Sequence, residues 1–293
     1  MALKAKTPAE LSESKPKFMI SGKSGVGKTM FALDFPSVYF IDVEGGGKRK
    51  QYTAKMIKNG GAYFGKDEGS QDYATVINEI KSLATEKHPY KTLVIDSFSK
   101  LYNIASAIAE EKVGNDFGRD KKEANRPTRQ LIRFLDDLDM TVILICHGKD
   151  KWIRQGKEVV NDGTTFDGYD KMEYELDLWI EIVKLGKVRN FIVKKSRVST
   201  FEDGSFHPLS YAIFSDLYGK DVIEKPSVPL QLATGEQISK ITRLIETINV
   251  DAEIVNKWLL KAQVATFAEM KSEDILKCIA YLENKMAAVI GGK

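Results

Sequence analysis

The residues with the clearest chemistry stand near the N-terminus, where Gly22-Lys23-Ser24-Gly25-Val26-Gly27-Lys28-Thr29 fits the pattern GxxxxGK[ST] throughout. Such a run cradles a chain of phosphates. Its glycines let the backbone curl until successive N–H groups face one point, and a following helix adds the positive end of its dipole. Lys28 is expected to reach the terminal phosphates and Thr29 to offer its hydroxyl to Mg²⁺, with Met30 completing the contact stretch. Two further strand-like runs end in carboxylates. KTLVID closes on Asp96, a charge that an apolar strand could carry only beside an ion, water or a backbone donor. This is the Walker B position, expected to act with Thr29 on the metal. VYFIDVEGGGKRK, residues 38–50, carries Asp42 and Glu44 and then dissolves into three glycines and a basic triplet.

Positioning these groups requires an alternation of strands and helices. FMIS (18–21), SVYFID (37–42), KTLVID (91–96) and TVILICH (141–147) are short and rich in β-branched or aromatic residues. KTMFALDF, YATVINEIKSLATE and TRQLIRFLDDLD between them have helical character. That order implies βαβ crossovers and an α/β fold with a mostly parallel central sheet flanked by helices. LDLWIEIVKL and NFIVKKSRVSTF then read as an antiparallel pair joined around Gly186–Asn190.

Two prolines in KPSVPLQLATGEQ mark a boundary. The expected organisation is a flexible N-terminal arm over 1–16, a nucleotide-binding core over 17–225, and a small α-helical C-terminal domain over 226–293. In the last, Ile238, Ile241, Leu244, Ile245 and Ile248 recur at helical spacing behind a capping box of Thr234 and Gln237. A second helix holds Ile254, Val255, Trp258 and Leu259, and a third, opening at Ser272, sets Ile275, Leu276, Ile279 and Leu282 on its apolar side. Eight acidic and eight basic residues balance in this segment, which argues against a basic DNA clamp there. No apolar run reaches the ~20 residues of a membrane span, and the N-terminal stretch lacks the apolar centre of a signal peptide. Cys146 and Cys278 make neither a disulfide framework nor a metal site, so a reducing cytoplasm is expected.

SGKSGVGKT, FPSVYFIDVEGG, HPYKTLVIDSFSKL and TVILICHGK, in that order, resemble the core-only RecA-like P-loop ATPases common in phages, often described as AAA-domain ATP-binding proteins. The resemblance covers about residues 17–215. Some of these proteins work with phage single-strand annealing proteins. The resemblance implies ATP and Mg²⁺ as ligands and ATP hydrolysis as the activity. In many AAA-type enzymes the water-activating carboxylate directly follows the Walker B Asp, but Ser97 holds that place here. Glu44 is then the expected catalytic carboxylate, because FIDVE is similar to RecA's phrase at the end of the corresponding strand. Asp42, within the strand, is its rival and better suited to a structural role. His147 falls where RecA-like proteins put a γ-phosphate sensor, although RecA itself has Gln there. Lys194 matches a lysine that RecA extends to a neighbouring subunit's nucleotide. The second such lysine falls at Ser196, so Lys195 or Arg197 would substitute. A solvated basic strand edge explains the same charges.

GKDKWIRQGKEVVNDGTTFDGYDK, after His147, is polar, glycine-rich and too long for an idle connection. Lys149, Lys151, Trp152, Arg154 and Lys157 offer charges for phosphates and one ring for stacking on a base, against an ordinary surface hairpin. KVGNDFGRDKKEANRP, broken at its end by proline, contributes Arg119, Lys121, Lys122, Arg126 and Arg129, which fit a solvated helix face. The implied partners are single-stranded DNA, further copies of the chain in a ring or filament, and a phage annealing or single-strand-binding protein. The implied location is the bacterial host's cytoplasm, and the implied role is DNA recombination or annealing. An ATP-switched oligomeric assembly module that binds a protein partner through the helical tail, and a nucleotide or small-molecule kinase, are the alternative readings.

Overall fold

The computed structural model describes residues 7, 13–113, 119–156, 158–262, 264 and 266–290. Its strands are β1 (Lys17–Ser21), β2 (Val38–Asp42), β3 (Ala62–Phe64), β4 (Thr92–Asp96), β5 (Thr141–Ile145), β6 (Gly148–Gln155), β7 (Glu158–Phe166), β8 (Leu178–Leu185), β9 (Val188–Ser196) and β10 (Phe206–Pro208). The helices are α1 (Lys28–Ala32), α2 (Lys50–Lys58), α3 (Tyr73–Thr85), α4 (Phe98–Val113), α5 (Arg119–Asp137), α6 (Met172–Glu175), α7 (Tyr211–Tyr218), α8 (Lys220–Glu224), α9 (Gly235–Thr247), α10 (Ala252–Ala262) and α11 (Ser272–Ile290).

Eight strands form one sheet in the order β10-β9-β8-β1-β5-β4-β2-β3. Pairing is parallel from β8 through β3 and antiparallel at β8–β9 and β9–β10. The α/β architecture implied by the strand–helix alternation is therefore present. Every residue of β1, β4 and β5 is buried, as near-continuous apolar strands must be when helices cover both faces of a parallel sheet.

Two compact units divide the chain: Met1–Lys81 with His88–Val228, and Ser82–Lys87 with Pro229–Lys293. In the second, Ile241, Leu244, Met270, Ile275, Ile279 and Leu282 make a small core. The Thr234–Gln237 capping box forms, with each side chain bonded to the other's backbone. Leu276, expected on the apolar side, is instead 50% exposed.

Three local expectations change. Pro127 does not break the chain; α5 runs through it from Arg119 to Asp137. A helix-interior proline forfeits one backbone hydrogen bond, and here α5 continues while packing Leu131, Ile132 and Leu135 into the core. The segment after His147, read as a long loop with a surface hairpin as the alternative, is that hairpin: β6 and β7 pair antiparallel, with a bulge between Asp150 and Trp152. Gly156 and Gly163, both at positive φ, stand outside the paired positions, which run from Gly148↔Phe166 to Gln155↔Glu158. Most of the N-terminal arm lies outside the described residues, but its end is fixed. Lys15 is buried, its Nζ donating to the Asp139 and Pro226 carbonyls at 2.9 and 3.2 Å.

Beneath α1 the core is aromatic. Phe214 of α7 is fully buried and meets Phe18, Phe31, Phe35, Phe191, Phe201 and Tyr218, with ring centroids between 4.8 and 6.5 Å. Phe31 lies on α1, so this cluster seats the helix that follows the glycine-rich loop over 22–27. Phe214→Ala is expected to cost about 3–5 kcal/mol in urea unfolding. A loss below about 1 kcal/mol would show that the cluster does not hold the sheet and α1 together.

Candidate nucleotide site

The expected site residues converge at the carboxyl edge of the sheet, where open α/β sheets bind ligands. A cavity of ≈ 880 Å³ there is lined by the 22–30 loop and by Asp42, Glu44, Asp96 and His147. Of the expected contact stretch, Gly22, Ser24, Gly25, Gly27, Lys28, Thr29 and Met30 line it. Gly22 has φ +139, and a Cβ there would stand 2.5 Å from the Ile182 carbonyl oxygen. Only glycine lets β1 leave the sheet so close to β8. Lys28 folds back over its own loop, its Nζ donating to the Gly22 and Lys23 carbonyls at 2.7 and 3.0 Å. Burial lowers its pKa.

Asp96 is 8% exposed and accepts a hydrogen bond from the Thr29 hydroxyl at 2.6 Å. Burial pushes its pKa up to about 6, the direction in which desolvation drives any carboxylate. A buried carboxylate oxygen beside a hydroxyl is a hard-oxygen pair that fits Mg²⁺, which is commonly held by one or two protein groups together with substrate phosphates. Among the described residues no group of three or more His, Cys, Asp or Glu could hold a metal unaided.

Asp42 and Glu44 divide the roles that the sequence left between them. Asp42 is buried; its Oδ1 accepts from the N–H groups of Gly45 and Gly46 at 2.8 and 3.3 Å, and its Oδ2 from Gly47 N–H at 2.6 Å and the Tyr63 hydroxyl at 2.9 Å. The glycine run is thus wound around a structural carboxylate, an extended form of the turn that Asp makes with the backbone just beyond it. At Gly47 a Cβ would lie 2.6 Å from both the Phe40 and Tyr63 rings, so no side chain fits. Glu44 points into the cavity instead. The Val43 and Glu44 N–H groups both donate to the Asp96 carbonyl, at 2.7 and 3.1 Å, which ties the ends of β2 and β4 together. There the Ser97 hydroxyl donates to Glu44 Oε1, and His147 Nε2 lies 2.9 Å from the same oxygen.

His147 also joins the cavity to the hairpin. Its N–H donates to Ser99 Oγ and its carbonyl accepts from Asp167 N–H. The next residue, Gly148, donates its N–H to the Gly22 carbonyl at 3.2 Å, and a Cβ on it would stand 3.0–3.2 Å from Gly22 backbone atoms. The hairpin is rooted directly on the glycine-rich loop that opens at Gly22. Of its expected nucleic-acid contacts, Lys149 pairs with Asp167 and Lys151 with Asp162. Lys157 lies outside the described residues. Trp152, 61% exposed, and Arg154 lie two apart on β6, opposite Asn161 and Val159, and so share a face.

The three residues expected to act on a neighbouring subunit are engaged within their own chain. Lys194 Nζ is 3.3 Å from the largely buried carboxylate of Glu181 and 5.8 Å from the Trp179 ring centroid. Lys195 donates to the Leu176 carbonyl and Arg197 to that of Tyr174. The triplet after the glycines also separates. Lys48 pairs with Asp67, Lys50 opens α2, and only Arg49 lines the cavity, its Nη1 donating to the Gly46 carbonyl at 3.1 Å. Of the α5 cations, Arg129 is exposed and donates to the Asn125 carbonyl; the side chains of Arg119, Lys121, Lys122 and Arg126 lie outside the described residues. Sequence reasoning missed Ser97 as a partner of Glu44, and it missed Arg49, Arg189 and Leu209 as cavity residues. Arg189 carries no local signal, since only the pairing of β8 beside β1 brings β9 near the loop.

A family model described as an AAA domain matches residues 14–205. No curated protein matches the chain. Among solved structures, the crystal structure of the RadB recombinase is similar at 14% identity with a TM-score of 0.41, covering 65% of this chain and 84% of that one, a distant likeness.

Asp96 gives the site a pH signature. Burial raises its pKa from 3.8 to about 6, so the folded protein holds a proton that the unfolded chain has released. The stability from that proton is complete below about pH 4 and lost as pH rises through about 6. Asp96→Asn, which still offers Thr29 an acceptor, is expected to be more stable than wild type by about 1–3 kcal/mol at pH 7.5 without nucleotide. The gap should close near pH 4 in urea unfolding. A gap independent of pH would contradict the assignment.

Proposed function

The chain belongs to the AAA-domain family, and from that premise we propose that it is a Mg²⁺-dependent, RecA-like ATPase whose turnover is coupled to single-stranded DNA. The observation that carries this reading is Glu44, oriented by Ser97 and His147 at one end of a cavity floored by a complete P-loop. Both contacts take Oε1, and neither involves Oε2, which is left to accept the proton of an attacking water. Lys28 would exchange the Gly22 and Lys23 carbonyls for phosphate oxygens, and the loop's N–H groups would carry part of the charge that grows on the transferring phosphoryl group. Thr29 and Asp96 would hold Mg²⁺, which when bound draws charge from the phosphate oxygens. His147, hydrogen-bonded to Glu44 and contiguous with β6, would pass the state of the terminal phosphate to the hairpin.

DNA contact is supported by the face that Trp152 and Arg154 share, a ring for stacking beside a guanidinium for phosphate. The sequence resemblance to phage ATPases supports a place in recombination or single-strand annealing, in the host cytoplasm and alongside an annealing or single-strand-binding protein. It also supports assembly into a ring or filament, in which Lys194, Lys195 or Arg197 would have to leave their intrachain partners to reach a neighbour.

ATP turnover and nucleotide binding, measured with and without an oligo(dT) strand, test the reading. Wild type should hydrolyse ATP faster with the strand, and Lys28→Ala should bind no ATP. Trp152→Ala should weaken strand binding by roughly 10-fold or more, the scale of one lost base–aromatic stack. Turnover indifferent to the strand, with Trp152→Ala binding it as wild type does, would contradict the coupling.

A further inference from the structure

The cavity continues past the P-loop on the side away from Glu44. In the sheet, β5, β4 and β2 lie on one flank of β1, and β8 and β9 on the other. Glu44, Asp96 and His147 therefore all belong to one flank. On the opposite flank, Arg189 of β9 reaches back over the loop, and its Nε donates to the Val26 carbonyl at 3.0 Å. Its Cδ and Nε lie so close to Gly27 that a Cβ there would stand 3.2 Å from both. Gly27, at φ +108, is a position that side chains rarely adopt. Leu209 lines the same wall, its N–H donating to the Arg189 carbonyl at 3.0 Å. The side chain of Arg189 is thus fixed by its Nε although the residue is exposed. Among the described residues its Nη groups have no hydrogen-bond or ion-pair partner.

We propose that Arg189 and Leu209 form a wall for the nucleoside part of the bound nucleotide, making Arg189 a nucleotide-binding residue that acts within its own chain. The inference rests on the reading of this cavity as the ATP site. With the reacting phosphate at the Glu44 flank and the phosphate chain along the loop, the sugar and base are what remain to occupy the far flank. A guanidinium anchored at Nε presents a flat, weakly hydrated face that stacks on an aromatic heterocycle. The leucine beside it suits a base and offers nothing to a phosphate. The three basic residues first considered for a neighbour's nucleotide are engaged elsewhere, whereas Arg189 lines its own chain's cavity.

Calorimetric titration of ATP, ADP and inorganic tripolyphosphate, each with Mg²⁺, into wild type, Arg189→Ala, Arg189→Lys and Lys28→Ala tests this. Arg189→Ala should weaken ATP and ADP alike by roughly 10-fold, the scale of a desolvated cation–π contact, and leave tripolyphosphate unchanged. Arg189→Lys should recover only part of the loss, because an ammonium has no plane to stack. Equal weakening of all three ligands would overturn the proposal, since Arg189 would then merely shape the loop or touch phosphate. Unchanged ATP and ADP binding in Arg189→Ala, with all three lost in Lys28→Ala, would overturn it while leaving the ATP site intact. ATP binding retained by Lys28→Ala would overturn the site itself and this inference with it.

Discussion

A buried carboxylate must be satisfied by donors or be neutralised, and at Asp42 three consecutive backbone N–H groups and a tyrosine hydroxyl meet that demand. The geometry at the end of β2 follows from it. The chain after Glu44 has to wind around Asp42, which requires residues without side chains where Phe40 and Tyr63 crowd the path. Glu44 precedes that winding and is pinned by its own N–H to the Asp96 carbonyl, so its side chain emerges beside Ser97 and His147. Two acidic positions separated only by Val43 thereby acquire opposite work: one is consumed in holding the turn, the other is held out toward the cavity.

The same economy of contact runs from the loop to the hairpin. Gly22 lies against the Ile182 carbonyl on one side and Gly148 on the other. Thr164 at the hairpin's base donates to Glu181, which also pairs with Lys194, and Trp179 donates to Ser21 at the end of β1. A change in the loop on ligand binding therefore has direct backbone and side-chain routes to β6 and β7, without crossing a mobile linker. That contiguity is a physical route for coupling, and the two states it would connect are the content of the proposed function.

Much of this was readable in the sequence where the signal is local. The P-loop spacing, the apolar runs ending in Asp96 and His147, and the Thr234–Gln237 cap each depend on residues a few positions apart. Pro127 misled because helix propensity is a weak constraint when Leu131, Ile132 and Leu135 gain burial by continuing the helix. The hairpin stood only as the alternative to a loop because its strands are largely exposed and carry no regular apolar alternation to mark a pleat. The pairings of Lys149, Lys151 and Lys194 with carboxylates, and the reach of Arg189 over Val26, depend on strand order and register, which no single stretch encodes.

The central claim is that Glu44 activates the hydrolytic water while Asp42 only holds the turn. Single-turnover ATP hydrolysis by Glu44→Gln, with nucleotide binding measured on the same preparation, tests it most directly. The amide keeps the shape and removes the base, so binding should persist while turnover falls by roughly 100-fold or more, the scale of a lost general base. Turnover at the wild-type rate in a variant that binds ATP normally would contradict the account.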